Sequence, residues 1–293
     1  MNKILIVFNP LAGRKYRKNY QSYFLQYFKK CLPNTAYDWL ETAADFRNQL
    51  AKLHFKEYDR IIIIGGDGTV KIAADYLLNN NLDIPLGIIP AGSANVLASS
   101  LNIPANHVKA VKTACWGRKT RIDVGLLNNS EYFIIAVAIG YFQKIIFNTH
   151  RSLKIHLGFW AYALNFLKQL KIYSADFKFT IDGRPHHIKG NTMVIANAFS
   201  VFKLRPRTPI DLSDGQLEIL ISKNKTIFDF LIVVCSFFFG KRRFPFLFKA
   251  KGKKISVEFS SAEEKMVQID GETIKASKIE IEIIPKKLTI ITK

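Results

Sequence analysis

Residues 61–69 read Ile61-Ile62-Ile63-Ile64-Gly65-Gly66-Asp67-Gly68-Thr69. Four β-branched side chains in a row are apolar on both sides, the pattern of a central parallel strand covered on both faces. Three glycines in the next four positions let the backbone turn sharply and approach a ligand without a Cβ in the way. A helix is predicted from Val70 to about Leu78. Its free N–H groups and partial positive charge converge on the glycine loop, a setting that suits phosphate. Taken alone, such a loop is as often a structural turn as a cradle.

Working outward, the same rhythm recurs on both sides. Leu86-Gly87-Ile88-Ile89 runs into Pro90-Ala91-Gly92-Ser93-Ala94-Asn95 and a short helix. Upstream, Ile4–Phe8 stops at Asn9-Pro10-Leu11-Ala12-Gly13, after which Tyr16, Tyr20, Phe24, Tyr27, Phe28 and Cys31 mark one helical face. Thr42 is expected to open a further helix, with Asp45 as capping partner and Phe46, Leu50 and Leu53 on its buried side. Strand, loop and helix three times over predict a doubly wound, Rossmann-like α/β domain. Ligands in such sheets bind beyond the carboxyl ends of the strands, so three loops on one rim favour the binding reading over the structural turn.

Beyond about Arg121 the pattern changes to short strands separated by Asn and Gly turns. Arg121–Leu127 and Tyr132–Val137 flank Asn128-Asn129-Ser130 as a hairpin. Asp176–Ile181 ends at the turn Asp182-Gly183. Thr192–Ala196, Leu217–Ile221, Lys254–Phe259, Val267–Ile269 and Ile279–Ile284 read as further strands, and Ile155–Leu170 as a helix. The expected organisation is an α/β domain over 1–123 and an antiparallel β-sandwich over 124–293. The last strand, 286–293, is free to return to the first domain.

The chain has 293 residues, 48% of them hydrophobic, with 23 Phe, which excludes a disordered polypeptide. Its three cysteines are widely spaced and form no CxxC pair, which speaks against a disulfide framework or a Cys-rich zinc site. The apolar run Ile4–Phe8 is too short for a signal peptide, and Phe228–Phe239 is too short to span a bilayer. A cytoplasmic protein is expected. The net charge of +20 calls for an anionic partner. The segment Lys241–Lys254, KRRFPFLFKAKGKK, holds seven basic and no acidic residues around a cluster of Phe. It suits an anionic membrane surface, where cations meet headgroups and aromatic rings insert. Basic and aromatic residues together also suit single-stranded nucleic acid, but no RRM or KH signature accompanies them and no nucleic-acid partner is expected. His186 and His187, adjacent on a strand, point to opposite faces and read as surface residues. Trp39, Trp116 and Trp160 read as packing. There is no GxxxxGK[ST] and no HRD or DFG set, so neither a P-loop fold nor a protein kinase is indicated.

Asn9-Pro10 with Gly13, Gly65-Gly66-Asp67-Gly68-Thr69, Pro90-x-Gly92-Ser93-x-Asn95, Asp214-Gly215 and Asp270-Gly271-Glu272 occur in this order over nearly the whole chain. In this the chain resembles the bacterial diacylglycerol kinase-like lipid kinases, a family that includes sphingosine and ceramide kinases and is related to NAD kinases. The resemblance implies ATP and Mg²⁺ as cofactors, a lipid substrate, a nucleotide cleft between the two domains and peripheral membrane association; a homodimer is compatible with it. It implies that Asn9, Pro10, Leu11, Ala12 and Gly13 wrap the ATP phosphates, with Thr42 near the nucleotide. Gly65, Gly66, Asp67, Gly68, Thr69, Val70 and Lys71 would form the central phosphate loop, joined by Ser93 and Asn95. Asp270 and Glu272 fall on the family's catalytic acidic motif, with Asp270 the favoured proton acceptor. Asp67, Asp123 and Asp214 match acidic residues that reach Mg²⁺ through water. Asp214, with backbone oxygens near Asp211 and Gln216, matches a structural metal site. Two positions depart from the family: Val96 stands where Asp is common, and Ala198-Phe199-Ser200-Val201-Phe202 replaces a glycine-rich run. The resemblance leaves a sphingoid-base kinase, an NAD kinase-like enzyme and an inactive nucleotide- or lipid-binding protein as alternatives.

Overall fold

The computed structural model describes residues 3–12, 20–140, 175–198, 211–223, 247–259 and 265–293. Gly13, the helix expected over 155–170, the apolar run 228–239, Trp160, Phe199–Phe202 and residues 241–246 of the basic segment lie outside them. The chain divides into two compact units, Met1–Ile122 together with Lys286–Lys293, and Asp123–Pro285.

The first unit is built on strands β1 (Lys3–Phe8), β2 (Ala36–Glu41), β3 (Arg60–Gly65) and β4 (Leu86–Pro90), in the order β2-β1-β3-β4, all parallel. Residue Ile290 of β16 (Lys278–Thr292) pairs in parallel with Leu86 of β4, so β16 follows β4 in this sheet. All four isoleucines of β3 are essentially inaccessible, as the unbroken β-branched run requires. Their even-numbered members, Ile62 and Ile64, share a core with Ile4, Ile6 and Phe8 of β1. Phe24 and Phe28 of α1 (Tyr20–Cys31) and Ala110, Val111 and Ala114 of α5 (His107–Trp116) close over it. At the other end of the sheet, the Arg60 guanidinium donates to the Ala114 and Cys115 carbonyls at 3.0 and 2.7 Å, satisfying the last turn of α5.

Several sequence-based expectations are corrected here. Thr42 does not begin a helix; its N–H bonds the Phe8 carbonyl at 2.8 Å, extending β2, an edge strand whose mixed pattern AYDWLE carries no clear period. Helix α2 starts at Phe46 and ends at Ala51, and Asp45 stands at its N-cap without a side-chain capping bond. Gln49 tethers the connection instead, accepting from Ala43 N–H and donating to the Glu41 carbonyl. Leu53 is only half-buried. Helix α3 runs from Asp67 to Asn79, three residues ahead of its expected start, because Gly66 accepts the first intrahelical bonds from Thr69 and Val70. Helix α5, capped by the Asn106 side chain on Lys109 N–H, was not anticipated. Trp116 at its end is 58% exposed, whereas Trp39 packs on Phe8.

The second unit is antiparallel. One sheet has the order β12 (Leu247–Gly252), β11 (Leu217–Ser222), β10 (Thr192–Ala196), β7 (Ala136–Gly140), β14 (Lys265–Ile269), β15 (Glu272–Ala276). Against it lie β13 (Lys254–Glu258), β8 (Ala175–Ile181), β9 (Arg184–Gly190) and the first half of β16. Inward residues of both layers, among them Ile139, Ile195, Ile219, Phe179, Val257 and Ile281, form one apolar cluster, the hallmark of a sandwich. The expected hairpin joins β5 (Arg118–Leu127) to β6 (Glu131–Phe133) through Asn128 and Asn129, both at positive φ. Asp182-Gly183 turns β8 into β9 with φ of 49° and 81°, the geometry of a type I′ hairpin. His186 stacks on Phe179 and His187 faces Asp176, on opposite sides of β9. No helix among the described residues is long and apolar enough to cross a membrane.

Gly125 pairs with Phe133, and a Cβ at position 125 would stand 2.0 Å from that buried ring. Gly125→Val is therefore expected to destabilise the protein by about 2–3 kcal/mol through overpacking. Chemical denaturation checks this, and an unchanged midpoint contradicts it.

Candidate functional site

β1, β3 and β4 are adjacent and parallel, so the three loops that follow them leave the sheet on one rim. The first loop is a turn in which Ala12 N–H bonds the Asn9 carbonyl and Leu11 N–H bonds Asn9 Oδ1. Pro10 is partly covered, Ala12 is buried, and Leu11 projects at the apex, 75% exposed. Asn9 Nδ2 donates to Thr69 Oγ1 at 2.7 Å, tying this loop to the second. Thr42, at the end of β2, sits on the same rim through its bond to Phe8.

The second and third loops touch backbone to backbone. A Cβ on Gly92 would lie 2.6 Å from Gly66 Cα, and one on Gly66 would lie 3.0 Å from Gly92 Cα. Ala91 N–H bonds the Gly65 carbonyl at 2.8 Å, and Gly65 itself lies against the Thr69 side chain. Asn95 adopts the left-handed conformation, φ 51°, and closes the third loop by accepting from Gly92 N–H and donating to the Gly92 carbonyl. Gly68 has nothing within 4 Å of its missing Cβ, so the start of α3 opens outward at that point. Ser93 follows Gly92 on the third loop and is exposed.

Asp67 carries the interlock between these loops. Its carboxylate accepts from Val96 N–H at 3.0 Å and Leu97 N–H at 3.2 Å, capping α4 (Val96–Ser100) from a different loop. Burial raises its pKa, against the opposing pull of these backbone donors. Val70 and Lys71 turn inward instead. Both are buried, and Lys71 Nζ lies 2.5 Å from Asp75 Oδ2 within the same helix.

The second unit holds its own constellation. Asp270 turns β14 into β15 at φ 49°, followed by Gly271 at φ 100°. Its carboxylate accepts from the N–H groups of Ile134, Ile135 and Ala136 at 2.7–2.9 Å. Glu272 opens β15 and is exposed. Asn197, 1% exposed and not anticipated from the sequence, binds the same bend from the other side. Its N–H bonds the Ile135 carbonyl, and its Nδ2 donates to the carbonyls of Ile134 and Asp123. Asp123 is fully buried, with Oδ2 accepting from Gly215 N–H at 2.7 Å. One lattice thus joins Asp123, Asn197, residues 134–136 and Asp270. A polar residue directly after the apolar strand Thr192–Ala196 is the one sequence signal that could have marked Asn197.

Each acidic residue expected to reach a metal has a hydrogen-bond partner of its own within its unit. Asp67 serves α4, Asp123 serves Gly215, and Asp211 Oδ1 accepts from Ser213 N–H and Oγ. Asp214 Oδ1 accepts from Gln216 N–H, and its Oδ2 lies 2.6 Å from the Lys251 ammonium, a neighbour that lifts the lysine's pKa. Among the described residues no group of three or more His, Cys, Asp or Glu could hold a metal ion. The donor set around Asp214 fits an ammonium, not Mg²⁺, which demands several oxygen ligands in octahedral array.

Residues 3–127 match the diacylglycerol kinase catalytic domain, and residues 137–292 match the YegS C-terminal NAD kinase beta sandwich-like domain. A diacylglycerol kinase of Bacillus subtilis (strain 168) is 28% identical over 280 residues, covering 93% of this chain and 90% of the relative. A Pectobacterium atrosepticum protein named "Probable lipid kinase YegS-like" is 30% identical over 234 residues, covering 78% and 76%. A crystal structure of a diacylglycerol kinase from Bacillus anthracis str. Sterne superposes with a TM-score of 0.74 at 22% identity, covering 100% of this chain and 97% of that one, a likeness of fold. With a parallel α/β unit under the first match and an antiparallel sandwich under the second, the chain belongs to the diacylglycerol kinase-like family and is a lipid kinase.

Proposed function

We propose that the protein transfers the γ-phosphate of ATP, taken up as its Mg²⁺ complex, to the hydroxyl of diacylglycerol. The observation that carries this reading is the close approach of Gly66 and Gly92, which clears a backbone-lined rim at the start of α3. Phosphoryl transfer asks little covalent work of a protein; positioning the phosphates and offsetting their charge is most of it. Backbone N–H groups at a helix start supply that without a bulky side chain. Asn9, Thr69, Gly68, Ser93 and Asn95 are the residues we assign to the phosphates, with Thr42 and the exposed Leu11 toward the nucleoside. Val70 and Lys71 support the loop from within, since their side chains are buried. Mg²⁺ bound to the nucleotide neutralises phosphate charge.

Asp270 is our assignment for the acceptor of the lipid hydroxyl proton. Three backbone donors hold its carboxylate in one orientation, and a positioned base contributes about 10²–10⁴ in rate. Glu272, two residues on and exposed, is the carboxylate to compare with it. Association with an anionic membrane surface is supported by the net charge of +20. Lys249, Lys251 and Lys254 of the basic segment pair with Glu218, Asp214 and Glu282. Among the described lysines of the segment this leaves Lys253 for headgroup contacts, and the assignment of the whole of Lys241–Lys254 rests on its charge.

Purified protein incubated with labelled ATP, Mg²⁺ and mixed micelles of diacylglycerol, ceramide or sphingosine should yield phosphatidic acid. A different phosphorylated lipid corrects the substrate, and no product from any of them overturns the proposal. Gly92→Ala is expected to cut kcat/KM by about 10²-fold or more, because the new methyl displaces the Gly66 loop by a sizeable fraction of an ångström. Asp270→Asn should lower kcat by about 10²–10⁴ with KM for ATP little changed. If Glu272→Gln has that effect and Asp270→Asn does not, Glu272 is the base.

A further inference from the structure

Asp211, Asp214 and Glu218 place three carboxylates within eight residues, leading into and along β11. Glu218 is 4% exposed, and a buried carboxylate is costly unless a cation meets it. The strand register supplies one. Lys251 of β12 stands directly opposite Glu218, and Lys249 lies two residues along the same strand. Lys251 Nζ lies 2.6 Å from Asp214 Oδ2 and 3.4 Å from Glu218 Oε1, while Lys249 Nζ lies 2.8 Å from Glu218 Oε2.

We infer that Lys251 is the resident cation of the Asp211–Gln216 loop, an ammonium covalently part of the chain in place of a divalent metal. The ammonium bridges the loop carboxylate to the buried strand carboxylate, which is the work a structural ion would otherwise do. A Mg²⁺ ion on Asp214 would stand beside this ammonium and meet its repulsion. The loop so fixed presents Gly215 N–H to the fully buried Asp123, so the ammonium also steadies the lattice that reaches Asp270 through Asn197. This inference concerns the architecture of the second unit and holds whichever lipid is phosphorylated.

The test is thermal unfolding of the nucleotide-free protein in chelator, in Mg²⁺ and in Ca²⁺, with metal content measured on the purified sample. For the native chain we expect the same Tm in all three and metal well below one equivalent. Lys251→Met keeps most of the methylene packing and removes the charge. It should lower Tm in chelator by about 2–4 °C and acquire a rise in Tm on adding Mg²⁺ or Ca²⁺, as the bare carboxylates recruit a cation. Lys251→Arg should behave as the native chain. A native Tm that falls in chelator and recovers with Mg²⁺, or one tightly held metal per chain, overturns the inference. So does Lys251→Met that matches the native chain under every condition. Should Lys251→Met fail to fold, the native chelator comparison and the Arg variant still decide.

Discussion

The first unit depends on a contact that only two hydrogens make possible. Gly66 and Gly92 meet at a distance that any side chain would break, and from that meeting the rest of the rim takes its shape. Once the second and third loops share a backbone surface, Asp67 can reach across to the N-terminus of α4, and Asn95 can fold back on Gly92. Asn9 joins from the first loop through Thr69. Polar side chains thus act as latches between loops, leaving the backbone open at Gly68. A rigid, backbone-lined rim suits a chemistry in which geometry matters more than nucleophilic side chains.

The acidic residues illustrate how little a carboxylate's presence says about its task. Asp67 caps a helix, Asp182 holds the N–H groups of Lys253 and Lys254, Asp270 gathers three amides, and Asp214 faces an ammonium. Each is matched by donors, as burial of a charge requires for Asp67, although Asp182 is exposed. The lattice through Asn197 shows the same economy in the second unit: one amide side chain bridges the carbonyl of Asp123 in β5 and that of Ile134 in the bend after β6.

Much of the fold was legible because local physics dictated it. The isoleucine run of β3 and the Asp-Gly and Asn-Asn hairpins each have a strongly preferred conformation, and the structure adopts it. The edge strand β2 was not legible, since it carries no clean period, whereas α5 shows Ala110, Val111, Ala114 and Cys115 at helical spacing behind the Asn106 cap yet was not anticipated. The misplaced start of α2 arises because sheet pairing claims Thr42 before a helix can. At the site, the glycine loops announced themselves, whereas the partners of Asp67, Asp214 and Asp270 are 29, 37 and 134–136 positions away. No spacing rule reaches that far, and Glu218 opposite Lys251 is a matter of strand register that only pairing reveals.

Strand β16 has a consequence for how the chain is made. Its second half, from Lys286, belongs with residues 1–122, where Leu288, Ile290 and Ile291 are buried and Thr292 lies against Thr120 and Gly117. All of Asp123–Pro285 must therefore leave the ribosome before the parallel sheet can receive its last member. During that interval the flank of β4 is an open template for stray pairing. Until Lys286–Lys293 is made, the first unit lacks one member of its sheet, and an unpaired strand edge of that kind is prone to misassembly.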